Sequence, residues 1–302
     1  MNEENLTHAI GELILEAAPE RKSEIKDLWQ KYSPQFERGF DKEGFAIEAG
    51  PWGLILFTPR TMGQVWLLGF AGWAALEAYC PYLLLCSEVS SSMISAVPDQ
   101  AAADSALEEV LAKVGELGSI AAVDGFEWPS GIPEPSETLP TAVRERAIVD
   151  TIKIAAAYMF LHEVRHVTLA ADSSKKPNWD SRAEELECDR FARDLLLTGV
   201  NEYCKNTGYK ESAVLDKRLI GLALGGFLLL HITKKRGGSV SHPAETDRLQ
   251  CLLANNEADA NSYAWVYAAC LLLSVLRREG KLSAPLAFAH PRDLFEKMLP
   301  LL

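Results

Sequence analysis

Hydrophobic spacing along the chain is helical nearly throughout. Leu6, Ile10, Leu13, Ile14 and Ala17 form one apolar stripe, and Ile25, Leu28, Trp29 and Tyr32 form a second, with Pro19 between them. This predicts two amphipathic helices over residues 3 to 32. Strand patterning is strongest in Phe45-Ala46-Ile47-Glu48-Ala49 and Gly53-Leu54-Ile55-Leu56-Phe57-Thr58, which Gly50-Pro51-Trp52 joins as a short hairpin over about 45–58. Met62 to Leu85 is a long apolar helix that Pro81 is expected to interrupt, and Ser87 to Asp99 reads as a polar linker. Helical spacing returns from Asp99 to Leu117 with Leu107, Val110, Leu111, Val114 and Leu117 on one side.

After a Pro- and Gly-rich stretch at 124–140, Thr141 to Ala171 is helical, and ADSSKKPNW (171–179) connects it to a helix capped by Asp180 or Ser181. GLALGGFLLLH, within Glu211 to Lys235, is apolar all round and therefore a buried helix. Further helices follow at Pro243 to Ala254 and Asp259 to Arg278. The expected fold is mainly α with a minor β part: a helical catalytic core and a small hairpin or sheet before it. The expected division is an N-terminal helical region (1–123), a linker (124–140) and a catalytic region (141–302).

The chemistry concentrates at His162-Glu163-Val164-Arg165-His166. On a helix, i and i+4 share a face, so both imidazoles can reach one metal ion, for which zinc is the natural choice. Glu163 then lies beside the ion, where it can take a proton from an attacking water. Such a site needs a third protein ligand, and a carboxylate from a second helix about 20 residues on is one solution. In Glu184-Glu185-Leu186-Glu187-Cys188-Asp189, the pair Glu185 and Asp189 is again i, i+4. If Glu185 binds the metal, Asp189 can accept the other ring N–H of a ligand histidine, most simply His162. Glu187 points away from that face, and Glu184 suits a capping box with Ser181. In Ser241-His242-Pro243-Ala244-Glu245-Thr246-Asp247-Arg248, Pro243 suits a helix first turn. His242 would stand at its edge to stabilise a developing oxyanion, and Arg248 would anchor the loop through a carboxylate.

HExxH, then E-x-E-x-D-x-x-A, then H-P-x4-R resembles the gluzincin metallopeptidases in order and chemistry. The wording HEVRH, EELECDRFA and SHPAETDRL is most similar to the Lit family of phage-exclusion peptidases, over Thr151 to about Leu253. The resemblance implies zinc on His162, His166 and Glu185, Glu163 as base, and Asp189 behind a ligand histidine. It also implies a host-defence endopeptidase that cleaves a translation protein, elongation factor Tu in that family, when an activating phage peptide is sensed. Cys188 stands where related motifs often have alanine.

Composition narrows the partners. The net charge of −12 argues against nucleic acid, which favours a basic stripe. Six cysteines without a CxxC pair fit reduced thiols in a cytoplasmic protein, and the acidic N-terminus is not a signal peptide. Val65 to Cys86 is long enough to span a bilayer, but Glu77 sits mid-run, so a core helix is expected and a membrane is not. Two rivals remain open: a non-catalytic, zinc-stabilised interaction protein, and a membrane-embedded HExxH peptidase using residues 65–86.

Overall fold

The structure, a computed structural model, describes residues 3–136, 138, 140–172, 180–232, 237–239, 241–254 and 256–302. In chain order these form α1 (Glu3–Ala17), α2 (Lys22–Tyr32), β1 (Gln35–Arg38), β2 (Ile47–Ala49), β3 (Leu54–Phe57), α3 (Pro59–Leu85), β4 (Glu88–Val89), α4 (Ser91–Ser95) and α5 (Gln100–Ser119). The second half forms α6 (Val143–Ala171), α7 (Ser181–Leu197), α8 (Val200–Thr207), α9 (Glu211–Ile232), α10 (Glu245–Leu253), α11 (Tyr263–Arg278), β5 (Leu286–Ala287) and α12 (Pro291–Met298). The fold is mainly α with a small sheet, as the patterning predicts.

The helix α6 is the axis. It packs on α9, α7, α1 and α3, and α3 packs in turn on α5 and α11. Buried apolar side chains from Ile10 to Met298 form one hydrophobic cluster, drawing on residues both before and after the 124–140 stretch. Close approach of the helices depends on missing side chains. A Cβ on Gly225 of α9 would stand 2.6 Å from the ring of Tyr158 on α6, well inside contact distance. α3 is, among the described residues, the one helix long and apolar enough to cross a membrane by length and composition, and 61% of its apolar window is buried against the protein.

The expected hairpin is present: β2 and β3 pair antiparallel, with Ala49 opposite Ile55. What the pattern missed is β1, which pairs parallel to β3 and makes β3 the central strand of the order β1-β3-β2. Gln35-Phe36-Glu37-Arg38 offers only one apolar residue, so no alternation announces it. Phe36 and Phe57 close edge-on over Phe160 of α6, at centroid distances of 5.5 and 5.4 Å, and so clamp the sheet to the helix.

Three other expectations need correction. α3 runs through Pro81 without a break. Both Pro81 and Glu77, four residues before it, are solvent-exposed, so water can serve the carbonyl that loses its amide partner. The supposed linker from Ser87 to Asp99 contains α4 and β4, whose strand partner β5 lies almost two hundred residues away and leaves no local trace. α10 begins at Glu245 rather than Pro243. The loop before it folds on itself, with Ser239 donating to the His242 carbonyl at 2.8 Å, and holds Ala244 extended. The 171–179 connection lies almost wholly outside the described residues. All six cysteines are free.

Candidate functional site

Tyr158, His162 and His166 recur every four residues and therefore share the face of α6 that looks toward α7. Between the helices, three side chains converge. His162 Nε2 and His166 Nε2 are 3.3 Å apart. Glu185 on α7 brings Oε2 to 3.4 Å from the first and Oε1 to 3.2 Å from the second. Donor atoms 2.0–2.1 Å from a tetrahedral zinc stand about 3.3 Å from one another, so the spacing of the two imidazoles and the Glu185 carboxylate, a triangle of side chains, fits one face of such a site.

The charges agree with the geometry. Burial works against a charged His162 ring, yet the hydrogen bonds to Asp189 and Glu185 outweigh it and raise the imidazole to about 9. His166 is likewise raised, its burial offset chiefly by Glu185. Glu185 is held well below the usual carboxylate range despite its burial, because both imidazoles hydrogen-bond to it. The cluster is thus arranged around positive charge.

Cys188, fully buried, brings a third kind of donor within 4.8 Å of ligand atoms of both histidines. Its thiol is pushed upward by burial and then by the charges of Glu185 and Asp189, which makes it the poorer candidate beside a carboxylate already ionised.

Each histidine is backed by its own carboxylate. His162 Nδ1 lies 2.9 Å from Asp189 Oδ1, which fixes Nδ1–H as the donor and leaves the Nε2 lone pair for the site. Asp189 is completely buried and accepts three further hydrogen bonds: from Tyr158 Oη at 2.6 Å, from Arg248 Nε at 2.7 Å and from Arg248 Nη2 at 2.7 Å. Burial alone would raise this carboxyl, but Arg248 holds it well below the ordinary range. Arg248 therefore ties α10 to α7, the carboxylate anchor expected of it.

His166 Nδ1 meets Glu184 Oε1 at 3.2 Å. That corrects the capping role expected of Glu184. The α7 cap is Asp180, which accepts from the Ala183 amide at 2.8 Å, so Glu184 is released to the site. Glu187 does turn away, to Arg165 and Arg190.

Glu163 is buried beside the triangle, where the amide of Ala49 on β2 donates to its Oε2 at 2.8 Å. Its carboxyl is raised by burial, an effect that His162 and His166 oppose. All of this opens onto a cleft of about 740 Å³, walled by Ile47 and Ala49 on the sheet side and by Leu228 and Leu229 on the α9 side. His242 lines the same cleft at its exposed rim, its Nδ1 2.9 Å from Ser241 Oγ.

Sequence reasoning missed three contributors. Tyr158 could have been found by extending the i, i+4 rule one turn back from His162. The second role of Glu184 was hidden by an equally good local one. The Ala49 amide has no side-chain signature at all.

Residues 55–268 match the sequence model of the Peptidase U49 family, a span of more than half the chain that takes in every candidate site side chain on α6, α7 and α10. No curated protein matches the chain, and no solved structure does.

Proposed function

The chain belongs to the peptidase U49 family, and from that premise we propose that it is a zinc-dependent endopeptidase. The observation that carries the reading is the triangle of His162, His166 and the Glu185 carboxylate, with Glu163 buried at its side. Zinc held there by His162, His166 and Glu185 would polarise the scissile carbonyl and make a water acidic enough to attack near neutral pH.

The protein's own groups do the rest. Glu163 takes a proton from the attacking water and returns it to the leaving amine nitrogen. Asp189, held by Tyr158 and Arg248, keeps His162 in one tautomer and one orientation. His242 at the rim supplies a donor for the charge that develops on the carbonyl oxygen. The apolar walls of the cleft exclude water around a bound peptide segment.

The substrate reading goes further and rests on motif wording alone. The similarity of HEVRH, EELECDRFA and SHPAETDRL to the Lit peptidases supports a cytoplasmic host-defence enzyme. Its substrate would be a translation protein of the elongation factor Tu class, cleaved once a phage peptide is sensed. The membrane-embedded rival draws on the length of α3, and retention of the protein in membranes after a carbonate wash would favour it.

The test is metal content beside cleavage. Wild type should carry about one zinc per chain, and His162→Ala and Glu185→Ala should lose it. Glu163→Gln should keep its zinc and lose cleavage. Wild-type protein without zinc after metal-replete purification would end the reading.

A further inference from the structure

We propose that the main-chain amide of Ala49 is a positioning group for the proton-transferring carboxylate, holding Glu163 through Oε2. The inference rests on the reading of Glu163 as the base.

Its first support is the register of the sheet. β2 is an edge strand, paired on one side only, to β3. Gly50 donates to the Leu54 carbonyl at 2.6 Å, so the antiparallel alternation turns the Ala49 N–H the other way, off the sheet. An outward edge amide needs a partner, and Glu163 Oε2 at 2.8 Å is that partner.

The second support is that the strand cannot drift relative to the carboxylate. Phe160, three residues before Glu163, is gripped edge-on by Phe36 of β1 and Phe57 of β3. Val167, four residues after Glu163, lies against Gly53 in the turn that joins β2 to β3: a Cβ there would be 3.6 Å from Val167 Cγ1. Phe160, Glu163 and Val167 share one face of α6. The helix is therefore pinned to the hairpin on both sides of the base, and the amide between those contacts is fixed with it.

The third support is chemical. A peptide N–H donates to a carboxylate and, less strongly, to the carbonyl oxygen of a carboxylic acid. The clamp can hold Glu163 before and after it takes its proton, while the second oxygen stays available for transfer. A side-chain donor that titrates or swings would not offer the same constancy.

The test removes the donor without removing a ladder bond. Two variants do so: Ala49→Pro, tolerated where an edge N–H faces away from the sheet, and lactate incorporated at position 49, which replaces the amide by an ester. In both, kcat should fall about tenfold or more, since small misplacements of a reacting group cost up to about 100-fold, while KM stays within about twofold. Zinc stoichiometry and the chelator-measured zinc affinity should not move. Ala49→Gly keeps the N–H and should recover the kcat that Ala49→Pro loses.

Wild-type kcat in the ester variant overturns the proposal. So does a loss confined to KM or to zinc binding. If Ala49→Pro does not fold, the ester variant decides alone. Failure of the underlying reading looks different: a zinc-free wild type, or cleavage that survives Glu163→Gln, removes the base itself whatever position 49 does.

Discussion

The two histidines of HEVRH stand one turn apart on the same helix and live in different surroundings. Behind His162 is a closed floor, where Asp189 is fully buried and accepts four hydrogen bonds, from Tyr158, from two nitrogens of Arg248 and from the ring itself. Behind His166 is a rim, where Glu184 is 19% exposed and meets the ring Nδ1 at 3.2 Å. Burial explains the difference. A carboxylate removed from water must have its hydrogen bonds returned by the protein, so two helices, α6 and α10, serve the one carboxylate on α7. A carboxylate that keeps some water needs no such assembly.

The comparison predicts a graded response to mutation. Asp189→Ala should be the most severe change. It strips the buried Arg248 of the carboxylate that takes its Nε and Nη2, leaving only Glu185 at 3.6 Å, at a cost of about 3–5 kcal/mol in urea unfolding. It should also weaken zinc affinity about 10- to 100-fold in chelator competition. Tyr158→Phe keeps the ring against Gly225 and deletes one hydrogen bond to a charged group, so a loss of about 1.5–3 kcal/mol is expected. Glu184→Gln, on the rim, should change zinc affinity within about threefold, as partly exposed pairs do; a loss equal to that of Asp189→Ala would abolish the distinction between floor and rim. His242→Ala should leave zinc content untouched and slow turnover, and unchanged kinetics would return His242 to a structural role.

The floor can also be read by titration. In metal-free protein the folded His162 ring titrates near 9 against about 6.5 when unfolded. A raised value means that its contribution is complete below about pH 6.5 and lost as the pH climbs through 9. Zinc takes the neutral ring, so zinc affinity should increase over the same window. Melting curves of the apoprotein that stay flat across it would contradict the assignment.

Much of this floor was legible from the sequence, because i, i+4 spacing survives on any helix: His162 with His166, and Glu185 with Asp189, fall where periodicity puts them. The rest depends on tertiary pairing. β1 is a strand because β3 offers it a partner, not because Gln35-Phe36-Glu37-Arg38 favours one. Glu184 could have capped α7, and only the fold shows Asp180 in that place. The Ala49 amide acts as a donor through its register, and a backbone group carries no letter of its own.

The order in which the chain is made gives the Arg248–Asp189 pair one more consequence. The three candidate metal ligands lie between positions 162 and 185 and leave the ribosome almost together, whereas Arg248 follows Asp189 by 59 residues. At translation rates of 5–20 residues per second that interval is roughly 3 to 12 s. During it α6 and α7 carry the three candidate ligands while Asp189 still lacks Arg248. Completion of the floor thus waits on the synthesis of α10.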